Sequence, residues 1–180
     1  GKSTIINILA GRTIAKTGNE PAVTKHQQRI DLGNGLVLFD TPGILWANIE
    51  NKNSGYRLAA TGAIKDTAIS HDDVASFVAQ YLLEFYPDLV KTRFQLDTLP
   101  ASESELLLLI GKKRGCLRSG GQVELDKVAK ILLLELRNAT IGKITFETPE
   151  MMVTELAEVD IIRAEKAAKK LARLNKHKHG

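Results

Sequence analysis

The chain is poor in several things, and each shortage narrows what it can be. It has one cysteine, Cys116, so an internal disulfide and a cysteine-based metal cluster are both excluded, and the thiol reads as a small buried or half-buried side chain. No apolar run approaches the ~18 residues that would cross a bilayer, and no signal peptide is present, although a chain truncated at its N-terminus would have lost one. Aromatic residues make up 5% of the sequence, too few for base stacking to be the main way of holding nucleic acid. What remains is 180 residues, 43% of them hydrophobic, enough to bury a sizeable core in a soluble intracellular, cytoplasmic protein with no membrane partner.

The first stretch, "GKSTIINILAG", is the second half of the phosphate-binding pattern G-x-x-x-x-G-K-[ST]. In such a loop Lys2 sits on the β/γ-phosphates and Ser3 offers a hydroxyl to Mg²⁺. Gly1 and Thr4 flank them at a helix N-terminus whose dipole favours an anion. Ile5, Ile6, Ile8 and Leu9 are expected to form the buried side of that helix, and Gly11 to end it. Alone the signal is weak, because many helices start this way by accident.

Two further signals follow in order. "VLFDTPG" places an apolar run, Leu36 to Phe39, before Asp40 and a Thr-Pro-Gly turn, and the run reads as a buried parallel-sheet strand. A carboxylate at the C-terminal end of such a strand, followed by Gly43, is where a nucleoside triphosphatase holds Mg²⁺ and senses the γ-phosphate. Asn34-Gly35 between two strand-like runs predicts a β-hairpin. Thr24, in the loop between helix and hairpin, is placed to reach a metal as a switch threonine does. His26, two residues further on, is better read as a solvated edge histidine than as a water-positioning group. The order of these signals over about 35 residues makes a GTPase-type phosphate site the reading to carry forward.

A guanine-reading N-K-x-D motif is missing after Asp40. Residues 44–180 hold two Asn-Lys pairs, "NKNS" and "NKHK", and neither ends in the carboxylate that guanine requires. The base-reading half is therefore upstream or absent; if upstream, the G domain is circularly permuted and this chain is a C-terminal piece cut inside the loop.

The run "GKSTIIN", "PAVTK", "DTPGILW", "LAATGAIKD", "GKKRGCLRSGG", "GKITFETP" resembles, from Gly1 to about Pro149, the circularly permuted GTPases of the bacterial YlqF/RbgA family. That resemblance implies GTP hydrolysis coupled to late maturation of the large ribosomal subunit, with Mg²⁺ and a K⁺-type ion. It also implies phosphate and Mg²⁺ contacts from Gly1, Lys2, Ser3 and Thr4, switch I at Thr24, and switch II at Asp40 and Gly43. Ile44 stands where a Ras-like enzyme has its glutamine, as in the family, whose catalytic histidine is thought to lie outside this sequence. "LWANIENKNSG" departs from the family's proline after the tryptophan.

Beyond Ile64 the pattern turns helical. "HDDVASFVAQYLLEFYP" carries a stripe of Val74, Phe77, Val78, Tyr81, Leu82 and Phe85, closed by Pro87. "PASESELLLLIGKKRG" opens with a capping box from Ser102 to Glu105. "QVELDKVAKILLLELRNATIG" faces inward with Val128, Ile131, Leu132 and Leu136. The expected architecture is thus an incomplete α/β P-loop GTPase portion at 1–66, an all-α ribosome- or RNA-binding domain at 67–150, and a basic helical tail at 151–180.

Charge is uneven. From Arg163 onward there are seven Lys/Arg against one acid, a net of +6 in a chain of net +4, which leaves the preceding residues slightly acidic. Lys166, Lys169, Lys170 and Arg173 in that tail, and Lys112, Lys113, Arg114 and Arg118 on a glycine-flexed loop, are candidates for phosphate contacts with folded RNA. The expected partners are rRNA and a large-subunit precursor, not DNA. Two functions stay open at this point. One is a GTP-driven assembly factor, whose isolated fragment is expected to be inactive; the other is an inert rRNA-binding module.

Overall fold

The computed structural model describes residues 2–15, 26–33, 35–41, 49–65 and 69–178, with side chains through Leu171. Two hydrophobic clusters form among these residues, of very different size.

The first is built by α1 (Lys2–Ala10) against a hairpin of β1 (Gln28–Asp31) and β2 (Val37–Asp40). The strands pair antiparallel, Gln28 with Asp40 through Asp31 with Val37. The turn is prepared locally: the Asp31 carboxylate accepts from the Gly33 N–H at 2.9 Å, Leu32 N–H donates to Leu36 O at 3.0 Å, and Gly33 and Gly35 take φ of +79° and +81°. Ile6, Ala15 and Ile30 are buried together, with Ile14, Leu32 and Leu38 around them.

Two expectations are corrected here. The strand read as parallel and buried is one half of an antiparallel pair, and Leu36 and Phe39 are each 59% exposed. On α1 only Ile6 of the four expected apolar positions is buried, while Ile5, Ile8 and Leu9 face outward. The reason is common to both: a two-stranded sheet covers one strip of a helix, and among the described residues nothing else lies over the rest.

The second cluster contains nineteen buried residues. It is formed by α2 (Lys52–Ala60), α3 (His71–Phe85), α4 (Pro87–Phe94), α5 (Glu103–Lys113) and α6 (Leu125–Arg137). Val74, Val78, Leu82, Val90, Leu106, Ile110, Val128 and Leu132 are fully buried. At roughly 1.5–3 kcal/mol for each large apolar side chain, this cluster can hold itself together, whereas the three residues beneath the hairpin cannot.

α2 falls within the stretch 1–66 assigned to the nucleotide part, yet its Ala59 and Ala60 pack into the helical core. Its start explains "NKNS": Asn51 is the N-cap, its side chain accepting from Ser54 N–H at 3.0 Å. Arg137 of α6 holds the other end by donating to the carbonyls of Ala60 and Ala59, at 3.0 and 2.8 Å. Pro87 does not lead into a loop after α3. It opens α4, where a missing N–H costs nothing. The Ser102 cap is present, with its hydroxyl accepting from Glu105 N–H, but the Glu105 carboxylate reaches back to Ala101 N–H, one residue beyond the usual box.

On α6 the outer residue Glu135 is 9% exposed and binds Arg93 of α4 through both carboxylate oxygens, at 2.9 and 2.7 Å, and Arg114 after α5. Three helices are tied by one carboxylate. The tail is helical as expected, in α7 (Pro149–Lys178), which docks on α2 through a bidentate pair of Glu155 with the buried guanidinium of Arg57.

Candidate functional site

β2 ends at Asp40, and α1 begins at Lys2. Packing the helix on the hairpin brings these two termini together, and the Lys2 ammonium pairs with the Asp40 carboxylate and donates to the Thr41 carbonyl. Asp40 is 2% exposed, so its charge is held by the lysine rather than by water. The Lys2 side chain is 46% exposed. Ser3 is half-buried and Thr4 exposed at the same helix N-terminus.

Among the described residues no three of His, Cys, Asp and Glu gather into a metal cluster. A Mg²⁺ of the nucleotide-bound kind does not need one, since it takes one or two protein oxygens and completes its shell with phosphate and water. Asp40 and Ser3 supply hard oxygen donors of that type, and Lys2 the cation beside them, so the residues fit a Mg²⁺–phosphate group. Gly1, Thr24, Gly43 and Ile44, also singled out in the sequence, lie outside the described residues, as does most of the connection around Trp46. His26 is exposed ahead of β1, in agreement with its reading as an edge residue.

Asn7 had been given no role, and the structure assigns it one. From the middle of α1 its Oδ1 accepts from Ile14 N–H at 2.9 Å and Ala15 N–H at 2.8 Å, while Nδ2 donates to Ala15 O at 2.9 Å. The side chain therefore fixes the chain at Ile14 and Ala15 as it leaves α1. A lone polar residue inside the apolar run "IINIL" was the available signal.

The basic loop after α5 is a constructed turn rather than a slack one. Gly120 and Gly121 take φ of +92° and +78°, Arg118 N–H donates to Gln122 O at 2.8 Å, and Leu117 bridges to Val123. Cys116 anchors it in the core, buried as read from the sequence. At Gly111 a Cβ would stand 2.3 Å from Val123, so the helix needs glycine where the loop folds back over it. The four cations expected on that loop do not act alike, and two of them, Lys112 and Lys113, lie in the last turn of α5 and not on the loop. Lys112 is exposed, Lys113 donates to the Gln95 carbonyl at 2.9 Å, and Arg118 lies 4.0 Å from Glu124 with 64% of its side chain exposed. Arg114 turns inward to Glu135, so the structure gives its guanidinium a packing role. Lys166, Lys169 and Lys170 are exposed on α7, and the Arg173 side chain is outside the described set.

Comparison with known proteins places this geometry. A family model described as "50S ribosome-binding GTPase" matches residues 1–103. The chain is 50% identical over 149 residues to a ribosome biogenesis GTPase A of Priestia megaterium, covering 83% of this chain and 52% of that protein. It is 46% identical over 162 residues to the protein of the same name from Bacillus cereus, covering 90% and 55%. Among solved structures, GNP-bound YlqF from T. maritima is similar with a TM-score of 0.54 at 27% identity, covering 83% of this chain and 55% of that one. The chain spans about half the length of the curated relatives it matches.

Proposed function

Because the chain belongs to the 50S ribosome-binding GTPases, we propose that it carries the phosphate-binding and switch half of a GTP-hydrolysing factor for late maturation of the large ribosomal subunit. The observation that carries this reading is the meeting of Lys2 with Asp40 at the junction of the α1 N-terminus and the β2 C-terminus. Lys2 would hold the β/γ-phosphates of GTP in place of its contact with Asp40, and Asp40, Ser3 and Thr24 would hold Mg²⁺, which would supply neutralisation of charge on the transferring phosphoryl group beside the positive charge of Lys2. A K⁺-type ion belongs to the same reading. The base-reading N-K-x-D, absent from residues 44–180, is assigned to the other half of the full-length form, which the resemblance describes as circularly permuted.

The helical domain provides the contact with rRNA of the large-subunit precursor, through Lys112 and Lys113 in the last turn of α5 and Arg118 on the loop that follows, extended by Lys166, Lys169, Lys170 and Arg173 on α7. These charges neutralise phosphates and bring affinity rather than base sequence information. Among the described residues no helix is long and apolar enough to cross a membrane.

The test is GTP turnover by the full-length form with Lys2→Ala. Loss of one such charge-stabilising donor is expected to lower kcat by about 10²–10³. Retention of more than about a tenth of the wild-type rate would refute the assignment of Lys2, whereas absence of turnover in the wild-type full-length form would favour the inert rRNA-binding module.

A further inference from the structure

Nine of the residues are aromatic, and six of them, Tyr56, Phe77, Tyr81, Phe85, Tyr86 and Phe146, form one continuous pile on the helical domain. Tyr56 stacks on Phe77 at 5.3 Å, Phe146 lies against Tyr81 at 5.0 Å, and Tyr81 meets Phe85 at 4.6 Å. Most of the pile is sheltered, but its last ring, Phe85, is 56% exposed. An isolated exposed phenylalanine is ordinary. One that ends a stack and borders a cavity is not.

That cavity, of about 330 Å³, lies between α2, α3 and α7 and is walled by Phe77, Tyr81 and Phe85. Its polar lining includes Gln80, Glu84 and the Arg57–Glu155 pair. The Arg57 charge is already matched by Glu155, and Glu147 stands a further 3.8 Å from it. Glu84 makes no ion pair among the described residues. The mouth thus combines π faces with an excess of negative charge.

We propose that this cavity receives an arginine side chain from a basic segment of a protein partner. A guanidinium fits both halves of the lining: its plane stacks on Tyr81 and Phe85, and its N–H fork reaches the Glu84 carboxylate. The surplus carboxylates disfavour RNA, whose phosphates they would repel, and this surface is distinct from the cationic loop after α5. The inference goes beyond the nucleotide and rRNA reading and does not depend on it.

The experiment titrates a capped Gly-Arg-Gly peptide into the isotope-labelled chain and follows the backbone amides of Gln80 to Phe85 by NMR. The citrulline peptide, which keeps the shape and loses the charge, and adenosine and uridine monophosphates serve as the other arms. Arginine-dependent shifts are expected, with the citrulline peptide and the nucleotides leaving these amides in place. Phe85→Ala and Glu84→Gln alter exposed side chains and should each weaken the arginine peptide about two- to fivefold. Equal response to citrulline, a stronger response to a nucleotide, no response to the arginine peptide, or unchanged affinity in both variants would overturn the proposal. None of these outcomes bears on Lys2 turnover, so the two readings fail separately.

Discussion

Breaking the Arg57–Glu155 pair should release α7 while leaving the helical core folded. The two side chains are 7% and 14% exposed, and the carboxylate takes both terminal nitrogens of the guanidinium, one at 2.7 Å. Removing one partner of a buried pair costs about 3–5 kcal/mol. In Glu155→Gln that figure is reduced, because Glu147, 3.8 Å from Arg57, takes over part of the charge, which leaves about 2 kcal/mol. That corresponds to about a 30-fold rise in the population of the open state. The loss is expressed locally because the described ties of α7 that do not pass through Glu155 are slight: a sulfur contact from Arg57 to Met151, an exposed pair of Arg163 with Glu50, and one buried apolar side chain, Val159, among the described residues. Hydrogen exchange of α7 peptides, with the melting of the core measured in parallel, separates local release from global unfolding. The same pair sets a pH response. The hydrogen bond from Arg57 holds the Glu155 carboxyl below its ordinary value, so its contribution is complete above that value and is lost as pH falls through the lowered one. Acid should therefore loosen α7 in the wild type and do so much less in Glu155→Gln. Unchanged α7 exchange in both Glu155→Gln and Arg57→Met would refute the reasoning.

Two further outcomes follow from the geometry. Asn7→Ala removes three hydrogen bonds from the turn after α1; at about 1 kcal/mol each it should increase exchange of the Ile14 and Ala15 amides strongly while leaving those of α5 and α6 unchanged. Neutralising Lys112, Lys113 and Arg118 together should flatten the slope of log K against log salt for large-subunit RNA by about 0.7–0.9 per lost contact, and adding Arg114→Gln should lower stability without flattening it further; a wild-type slope in the triple variant would remove the loop from the RNA surface.

Features carried by adjacent residues were legible in advance. The end of α1 at Gly11, the hairpin between Asp31 and Val37, the Ser102 cap and the stripe of α3, apart from Phe85, which is exposed, depend on turn chemistry or on a period of 3.6 residues, both local properties. Burial of Cys116 was legible as well, because a single cysteine without a disulfide partner reads as a small buried or half-buried thiol. The candidate phosphate site was legible because its parts keep order along the chain. α2 was missed, since "KNSGYRLAA" has a glycine in its middle and no long apolar stripe; two alanines facing a core are enough to seat it, and no periodicity announces two alanines.

By itself the sequence nominated the residues of a candidate phosphate site, marked the start and stop of several helices, and showed that the second half is helical. Tertiary structure decided what each charge is for. Arg114 and Lys112 stand two residues apart at the end of α5, and only packing against α6 turns one of them to Glu135 and leaves the other to solvent. Arg57 looks like an ordinary surface cation on α2 until α7 lays a carboxylate over it, with 98 residues of chain between them. The same holds for Lys2 and Asp40, which pair because a helix and a strand end at one point. Propensity acts over a few residues, whereas the partner of a buried charge is set by which elements pack together, and that depends on the whole chain at once.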